Sequence, residues 1–191
     1  MRKVVLLMHV SIDNYVADVN GGLDWMSYDH EMETYAEELV ETVGMPLYGR
    51  VTYGMMAGYW PTVLENPEKA SEHSLKHARW VQDIPKVVFS RTMESADWNN
   101  TRLIRENIAA EVKKLKEEPG KDLMIFGSPG LVKTFVELDL IDEYRLTIQP
   151  IALGAGIPLF KDMKEPVRLK LISTKQFKSG VIAAHYTVNK K

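Results

Sequence analysis

The strongest constraint on the fold is an apolar run near the start of the chain, from Val4 to Val10, which is rich in Val and Leu. A strand with one face in water alternates apolar and polar residues, whereas a continuous apolar run is typical of a strand that is covered on both faces. Strands of that kind belong to parallel sheets that carry helices above and below. The run therefore predicts an α/β fold around a buried, mostly parallel central sheet.

Strand and helix patterns follow one another along the next part of the chain. Further strands are predicted at residues 45–48, 86–89, 101–104, 123–126 and 144–149, and helices at residues 32–43, 49–57, 67–81, 108–118 and 131–138. Gly44 is expected to end the first helix, because glycine is frequent just beyond a helix C-terminus. Residues 58–66, which include Gly58 and Pro61, are expected to form a loop.

The C-terminal third of the chain has a different pattern. Apolar and polar residues alternate over residues 169–171 and 182–188, and Lys178-Ser179-Gly180 between them predicts a hairpin turn. These strands are expected to form an antiparallel edge on the parallel sheet. No linker or internal repeat interrupts the chain, so residues 1–191 are predicted to form a single domain.

Composition narrows the classes of function. Charged residues make up 26% of the chain and the net charge is −2, so no charge-driven binding of nucleic acid or of an anionic membrane is expected. The absence of cysteine excludes disulfides and thiolate metal sites, and it fits a cytoplasmic location. No metal site is predicted, because His73 and His77 lie on a helix with an exposed pattern and lack the glutamate of a zinc-peptidase motif.

The first candidate binding site is a strand-to-helix junction at Gly49-Arg50-Val51-Thr52. Glycine permits a close turn, and the free N–H groups of a helix start attract anions such as phosphate. Arg50 adds a forked cation and Thr52 a hydroxyl donor at the same place. The alternative interpretation is a plain helix cap beside a solvated arginine.

A second junction of the same kind is Gly127-Ser128-Pro129-Gly130-Leu131. Ser128 is a suitable N-cap and Pro129 suits the first helical position, so simple capping alone explains both residues. Ligands of open α/β sheets, however, bind outside the carboxyl ends of the strands, where such turns gather. Ser90 and Arg91, which follow another strand, are candidates for a further face of the same anion site.

Two tryptophans, Trp25 and Trp60, flank predicted loops. They are candidate substrate contacts that either line a pocket or pack against the body of the protein. The sequence leaves both alternatives open.

Five motifs in order resemble the dihydrofolate-reductase-like superfamily, and within it the C-terminal reductase domain of the bifunctional riboflavin-biosynthesis enzyme (the RibD C-terminal type). The motifs lie at residues 10–18 (VSIDNYVAD), 49–53 (GRVTY), 88–91 (VFSR), 126–130 (FGSPG) and 140–160, the last running from LIDEYRL to PIALGAGIPLF. Each motif alone has little specificity, whereas five in order at suitable spacing are fairly specific. The resemblance covers nearly the whole chain.

The resemblance implies NADPH as the cofactor and assigns residues to its parts. Gly49, Arg50 and Thr52 would lie at the adenosine-phosphate end and Ser90 and Arg91 near the 2′-phosphate. The residues assigned to the pyrophosphate are Gly127, Ser128, Pro129, Gly130 and Leu131. Those assigned to the nicotinamide side are Ile12, Asp13, Tyr15 and Ala17, which belong to the loop after the first strand.

The sequence departs from the family pattern at two places. Asn14 stands where glycine is usual, and asparagine tolerates left-handed backbone angles. Ser128 and Pro129 stand where consecutive glycines are frequent. The acid that binds the pterin in dihydrofolate reductases falls near Glu33, which is a candidate catalytic residue; the alternative is one more surface acid on a helix rich in acids.

The function implied is an NADPH-dependent reductase of a small heterocyclic substrate, with the ribosylamino-pyrimidine of riboflavin biosynthesis as the family's default. The alternatives are a nucleotide-binding module without catalysis and a dihydrofolate-type reductase of the same fold. The family also implies a homodimer that forms through the C-terminal strands.

Overall fold

The computed structural model describes residues 1–189. Within this range the strands are β1 (Val4–Ser11), β2 (Tyr15–Ala17), β3 (Val43–Gly49), β4 (Lys86–Phe89), β5 (Thr101–Ile104), β6 (Asp122–Phe126), β7 (Glu143–Gln149), β8 (Ile157–Pro158), β9 (Leu169–Gln176) and β10 (Ile182–Val188). The helices are α1 (His30–Val40), α2 (Arg50–Glu65), α3 (Glu72–Asp83), α4 (Ile108–Glu117) and α5 (Pro129–Glu137), with one 3-10 turn at Pro67–Lys69. None of these helices has the length and apolar character needed to cross a membrane.

The predicted fold class is confirmed. Eight strands form one sheet in the order β5-β4-β3-β6-β1-β7-β10-β9. The first six run parallel, and β10 and β9 complete the sheet as an antiparallel pair. The short strands β2 and β8 pair separately.

The central position of β1 explains its apolar sequence. Leu6 is fully buried in a cluster with Ile125 and Phe135 on one side of the sheet. Its neighbour Val5 belongs to a second cluster on the other side, with Met32 of α1. Since successive side chains of a strand point to opposite faces, both faces of β1 are covered, and the period-two pattern of a half-exposed strand is absent.

Gly44 does not end the first helix as predicted. Helix α1 stops at Val40, and Gly44 lies within β3, where a Cβ atom would stand 2.6 Å from the carbonyl oxygen of Lys121. The glycine is therefore needed for a close approach of two backbones, a requirement that depends on a segment far away in sequence.

The predicted loop at residues 58–66 is also wrong, because α2 continues through Gly58 and Pro61 to Glu65. Proline inside a helix forfeits one backbone hydrogen bond, and tertiary packing offsets this loss here. Trp60 on this part of α2 stacks on His77 of α3, with 4.3 Å between ring centroids. His77 is thus a packing residue on a partly buried helix, and burial lowers its pKa to about 4.

Candidate functional site

Three of the sequence motifs meet at one edge of the sheet. Strands β3, β4 and β6 are parallel, so Gly49, Ser90 and Gly127, which lie at their carboxyl ends, come together there. A cleft of about 660 Å³ opens at this edge, within the size range of small-molecule binding sites. Arg50, Thr52 and Arg91 line the same cleft, as do Pro129, Gly130 and Leu131. The two strand-to-helix junctions are therefore parts of one site.

The two junctions touch each other through Ser128. Its hydroxyl accepts a hydrogen bond from the backbone N–H of Gly49 at 3.0 Å and donates one to the carbonyl oxygen of Phe126 at 3.2 Å. A Cβ atom at Gly49 would lie 3.4 Å from Cβ of Leu131. Glycine at position 49 thus lets the start of α2 approach the start of α5 closely.

The simple capping interpretation of Ser128 is wrong. Ser128 has the left-handed backbone angle φ of 60°, follows Gly127 with φ of 58°, and makes no capping hydrogen bond to α5. Gly49 cannot cap α2 through a side chain either. Within residues 1–189, both helix starts therefore keep N–H groups without a side-chain acceptor, which is the arrangement that favours a bound anion.

Three arginines flank these helix starts. Arg50, Arg91 and Arg105 follow β3, β4 and β5, which are neighbours in the sheet, and all three line the cleft. No carboxylate of residues 1–189 lines it. The arginine half of the cleft is therefore suited to phosphate groups, and it fits the phosphates of a dinucleotide cofactor.

Sequence reasoning missed Arg105. Its Nη2 donates a hydrogen bond to the carbonyl oxygen of Glu94 at 2.5 Å, which ties it to the loop after β4. The sequence does contain a signal for Arg105, because it directly follows the predicted strand at 101–104, much as Arg91 comes shortly after the strand at 86–89. The hydroxyl of Ser90 shapes the same loop by accepting hydrogen bonds from the N–H groups of Thr92 and Met93.

The loop after β1 borders the other half of the cleft. Val16 and Ala17 line it, whereas Ile12, Asp13 and Tyr15 do not. The carboxylate of Asp13 accepts hydrogen bonds from Ser11 Oγ at 2.6 Å and from the N–H of Gly154 at 2.7 Å, and these contacts lower its pKa. Tyr15 pairs with Pro158 in the small sheet. Asp13 and Tyr15 therefore hold the loop in place from outside the cleft.

Asn14 has φ of 71°, the left-handed conformation that was expected of it. The turn after β1 therefore forms although asparagine replaces the usual glycine.

His9 is a second cleft residue that sequence reasoning missed. It lies on β1 and lines the cleft, and Nδ1 forms a hydrogen bond with Oγ1 of Thr147 on β7. Burial lowers its pKa to about 4, so the ring is neutral at physiological pH. Tyr28 stands edge-on to the ring at 6.1 Å between centroids. A histidine within an apolar strand was the available signal.

The remaining predicted residues lie outside the lining of the cleft. Glu33 on α1 has its carboxylate 3.5 Å from Nδ1 of His30. Trp25 donates its indole N–H to the carbonyl oxygen of Gly22 at 3.1 Å, and Trp60 contacts the sulfur of Met56 at 3.1 Å. The structure does not bring these three side chains together, and their roles in catalysis and substrate binding stay predictions.

Comparison with known sequences identifies relatives over almost the full length. YyaP of Bacillus subtilis (strain 168), an uncharacterized protein, is 37% identical over 189 residues, which is 98% of this chain and 96% of YyaP.

Solved structures share the fold. A provisionally named riboflavin biosynthesis protein from Shewanella sp. PV-4 has a TM-score of 0.77 at 23% identity, covering 98% of this chain and 99% of that one. A bifunctional deaminase and 5-amino-6-(5-phosphoribosylamino)uracil reductase from Thermotoga maritima gives 0.66 at 15% identity, where 98% of this chain matches 56% of the larger protein. Dihydrofolate reductase from Enterococcus faecalis, complexed with NADP(H), gives 0.62 at 12% identity, covering 98% and 97%.

The family model described as the RibD C-terminal domain matches residues 2–183. This match includes all strands of the parallel sheet and every residue that lines the cleft. The chain belongs to the RibD C-terminal domain family.

Proposed function

We propose that this protein is an NADPH-dependent reductase that acts on a C=N or C=O bond of a small heterocyclic substrate. The observation that carries the proposal is the division of the cleft. Three arginines and two uncapped helix starts lie in one half, and apolar side chains with a neutral histidine lie in the other. A phosphorylated cofactor with a reactive ring at its far end matches this division.

The phosphate half divides further by position. Gly127 to Leu131, at the start of α5, are assigned to the pyrophosphate. Gly49, Arg50 and Thr52 are assigned to the adenosine-phosphate end. Ser90 and Arg91 are assigned to the 2′-phosphate, and Arg105 joins them because it follows the adjacent strand.

The protein contributes orientation, charge and exclusion of water to the reaction. When bound, the reduced nicotinamide supplies a hydride for the substrate carbon, and a proton from water at the substrate nitrogen or oxygen completes the reduction. Val16 and Ala17 are buried and belong to the β2–β8 pair, so they form an apolar wall of the cleft against which the nicotinamide would lie. His9 offers a neutral hydrogen-bonding group to the same cleft.

Two other functions use the same cofactor site. A nucleotide-binding module would bind NADPH and oxidise none of it in the presence of candidate substrates. A dihydrofolate-type reductase would oxidise NADPH with dihydrofolate. The phosphoribosylaminouracil named for the Thermotoga maritima enzyme is the family's expected substrate.

Titration of NADPH and NADH into the purified protein, followed by nicotinamide fluorescence, tests the cofactor. We expect NADPH to bind at least about tenfold more tightly than NADH, and Arg50→Ala to weaken NADPH binding about tenfold or more, as expected for loss of a charge-assisted hydrogen bond. Arg79→Ala is the matched control, because Arg79 is exposed on α3 and away from the cleft lining. Absence of binding by both cofactors at millimolar concentration would refute the proposal.

A further inference from the structure

The cleft is charged at one end only. Arg50, Arg91 and Arg105 follow β3, β4 and β5, whereas His9 lies on β1, two strands beyond β3. Adjacent strands are about 4.8 Å apart, so β1 lies roughly 10 Å from β3 and roughly 20 Å from β5. Among residues 1–189, the three arginines are the only charged side chains that line the cleft. The lining also includes apolar side chains from the segment before α1, Leu23 and Met26.

The contact between His9 and Thr147 fixes which ring nitrogen carries the proton. Thr147 is fully buried, and within residues 1–189 its hydroxyl has one hydrogen-bond partner, Nδ1 of His9. A buried hydroxyl proton without an acceptor is strongly disfavoured, so the hydroxyl donates and Nδ1 accepts. The neutral ring must then carry its proton on Nε2.

Nε2 of His9 has no hydrogen-bond partner in the described part of the chain, and His9 lines the cleft. The ring therefore offers the cleft an N–H donor without a charge. Such a group binds a carbonyl oxygen or an unprotonated ring nitrogen, and it gives no charge stabilisation to a phosphate.

The charged groups near Tyr28 do not alter this picture. Tyr28 lies between His9 and His73, and Nδ1 of His73 is 2.8 Å from the carboxylate of Glu37. The same carboxylate binds Nζ of Lys76 at 2.6 Å. The cation on this side is therefore paired with an acid, which disfavours an additional anion.

We propose that the substrate is an uncharged, unphosphorylated heterocycle whose carbonyl oxygen or ring nitrogen accepts a hydrogen bond from Nε2–H of His9. This inference rests on the proposed reductase function and names the substrate class of the same cleft. It departs from the phosphoribosyl compound that the Thermotoga maritima enzyme is named for, because the phosphate-binding groups of this cleft are assigned to the cofactor.

The first test needs no substrate. Nitrogen-15 NMR of histidine-labelled protein reports the tautomer of His9, with His9→Gln used to assign its signals. We expect the Nε2–H form at neutral pH in the wild type. In Thr147→Val, which lacks the donating hydroxyl, we expect a mixture of the Nε2–H and Nδ1–H forms. A dominant Nδ1–H form in the wild type would overturn the proposal.

The second test compares two ligands that differ only in the phosphate: 5-amino-6-(ribosylamino)uracil and its 5′-phosphate. Each is titrated calorimetrically into protein saturated with NADP⁺. The unphosphorylated compound is expected to bind at least as tightly as its phosphate ester. Binding of the ester about tenfold more tightly, or no binding of the unphosphorylated compound to NADP⁺-loaded protein, would overturn the proposal.

Variants of His9 complete the design. His9→Leu is expected to weaken binding of the unphosphorylated compound about three- to tenfold, because one neutral hydrogen bond is lost. His9→Gln keeps an N–H at nearly the same distance and is expected to restore most of the affinity, while NADP⁺ affinity stays unchanged in both. Weaker NADP⁺ binding with unchanged ligand binding would assign His9 to the cofactor instead. Failure of the wild type to bind NADP⁺ at all counts against the proposed function, and the tautomer experiment still stands.

Discussion

The backbone N–H of Gly49 donates a hydrogen bond to Oγ of Ser128 at 3.0 Å, across 79 residues of sequence. This bond holds the starts of α2 and α5 in a fixed relation before any ligand arrives. Two helix starts that are held together in advance lose less conformational entropy when an anion binds between them.

The first prediction concerns Ser128. Ser128→Ala removes the acceptor of the Gly49 N–H while the left-handed backbone angle persists, so the free energy of unfolding should fall by about 1–2 kcal/mol. Ser128→Gly loses the same hydroxyl but relieves the backbone strain, and it should be less destabilised than Ser128→Ala. Urea denaturation measures both. Equal stability of the two variants would contradict this account. Ser173→Ala, at an exposed position, is the control for loss of a serine hydroxyl elsewhere.

A second prediction compares two glycines. A Cβ atom at Gly156 would lie 2.2 Å from the carbonyl oxygen of Ala17, so Gly156→Ala should separate β2 from β8 and lower the free energy of unfolding by about 1–3 kcal/mol. At Gly58, inside α2, a Cβ atom would meet no atom of the described residues 1–189 within 4 Å. Gly58→Ala should therefore stabilise the protein by about 0.5–1 kcal/mol. Thermal or chemical denaturation of both variants measures these changes in stability. Destabilisation by Gly58→Ala would contradict the prediction.

The third prediction is a pH dependence of stability. Burial lowers the pKa of His77 from 6.5 to about 4, so the unfolded chain binds more protons than the native protein between these values. The contribution of His77 to the free energy of unfolding should then be fully present above about pH 6.5. It should be lost as the pH falls towards 4, with a slope of up to about 1.4 kcal/mol per pH unit. His77→Phe keeps an aromatic ring and should flatten the slope by that amount. His30→Gln, which replaces an exposed histidine, is the matched control.

We propose, as a fourth prediction, that two copies of the chain associate through the C-terminal strands. Strand β9 is the edge of the sheet, and its Leu171 and Ile172 are each about half exposed (51%). Exposed edge strands with apolar side chains favour association. Sedimentation or light scattering should show a dimer that Ile172→Glu converts to monomer. Lys170→Glu on the same strand is the charge-changing control, and a monomeric wild type would contradict the proposal.

The sequence predicts the parallel sheet well because its evidence is local. The apolar run at residues 4–10 is continuous, and the glycines at positions 49 and 127 each follow directly on an apolar strand segment. The residues that sequence reasoning misinterpreted or missed depend on distant partners instead. Gly44 is required by the close approach of Lys121, Ser128 binds Gly49, and His9 binds Thr147. Contacts across about 80 to 140 positions leave no periodic pattern in a single sequence.

The order of the strands also governs how the protein folds. The run at β1 is synthesised first, yet its neighbours β6 and β7 lie about 120 and 140 residues further along. At about 5–20 residues per second, a ribosome takes roughly 6 to 25 s to supply β6. During this time the most apolar strand of the sheet has no partner, and closure of such a long loop slows folding. The residues that make β1 the centre of the mature fold therefore leave an apolar segment of the nascent chain without its sheet partners until β6 has been made.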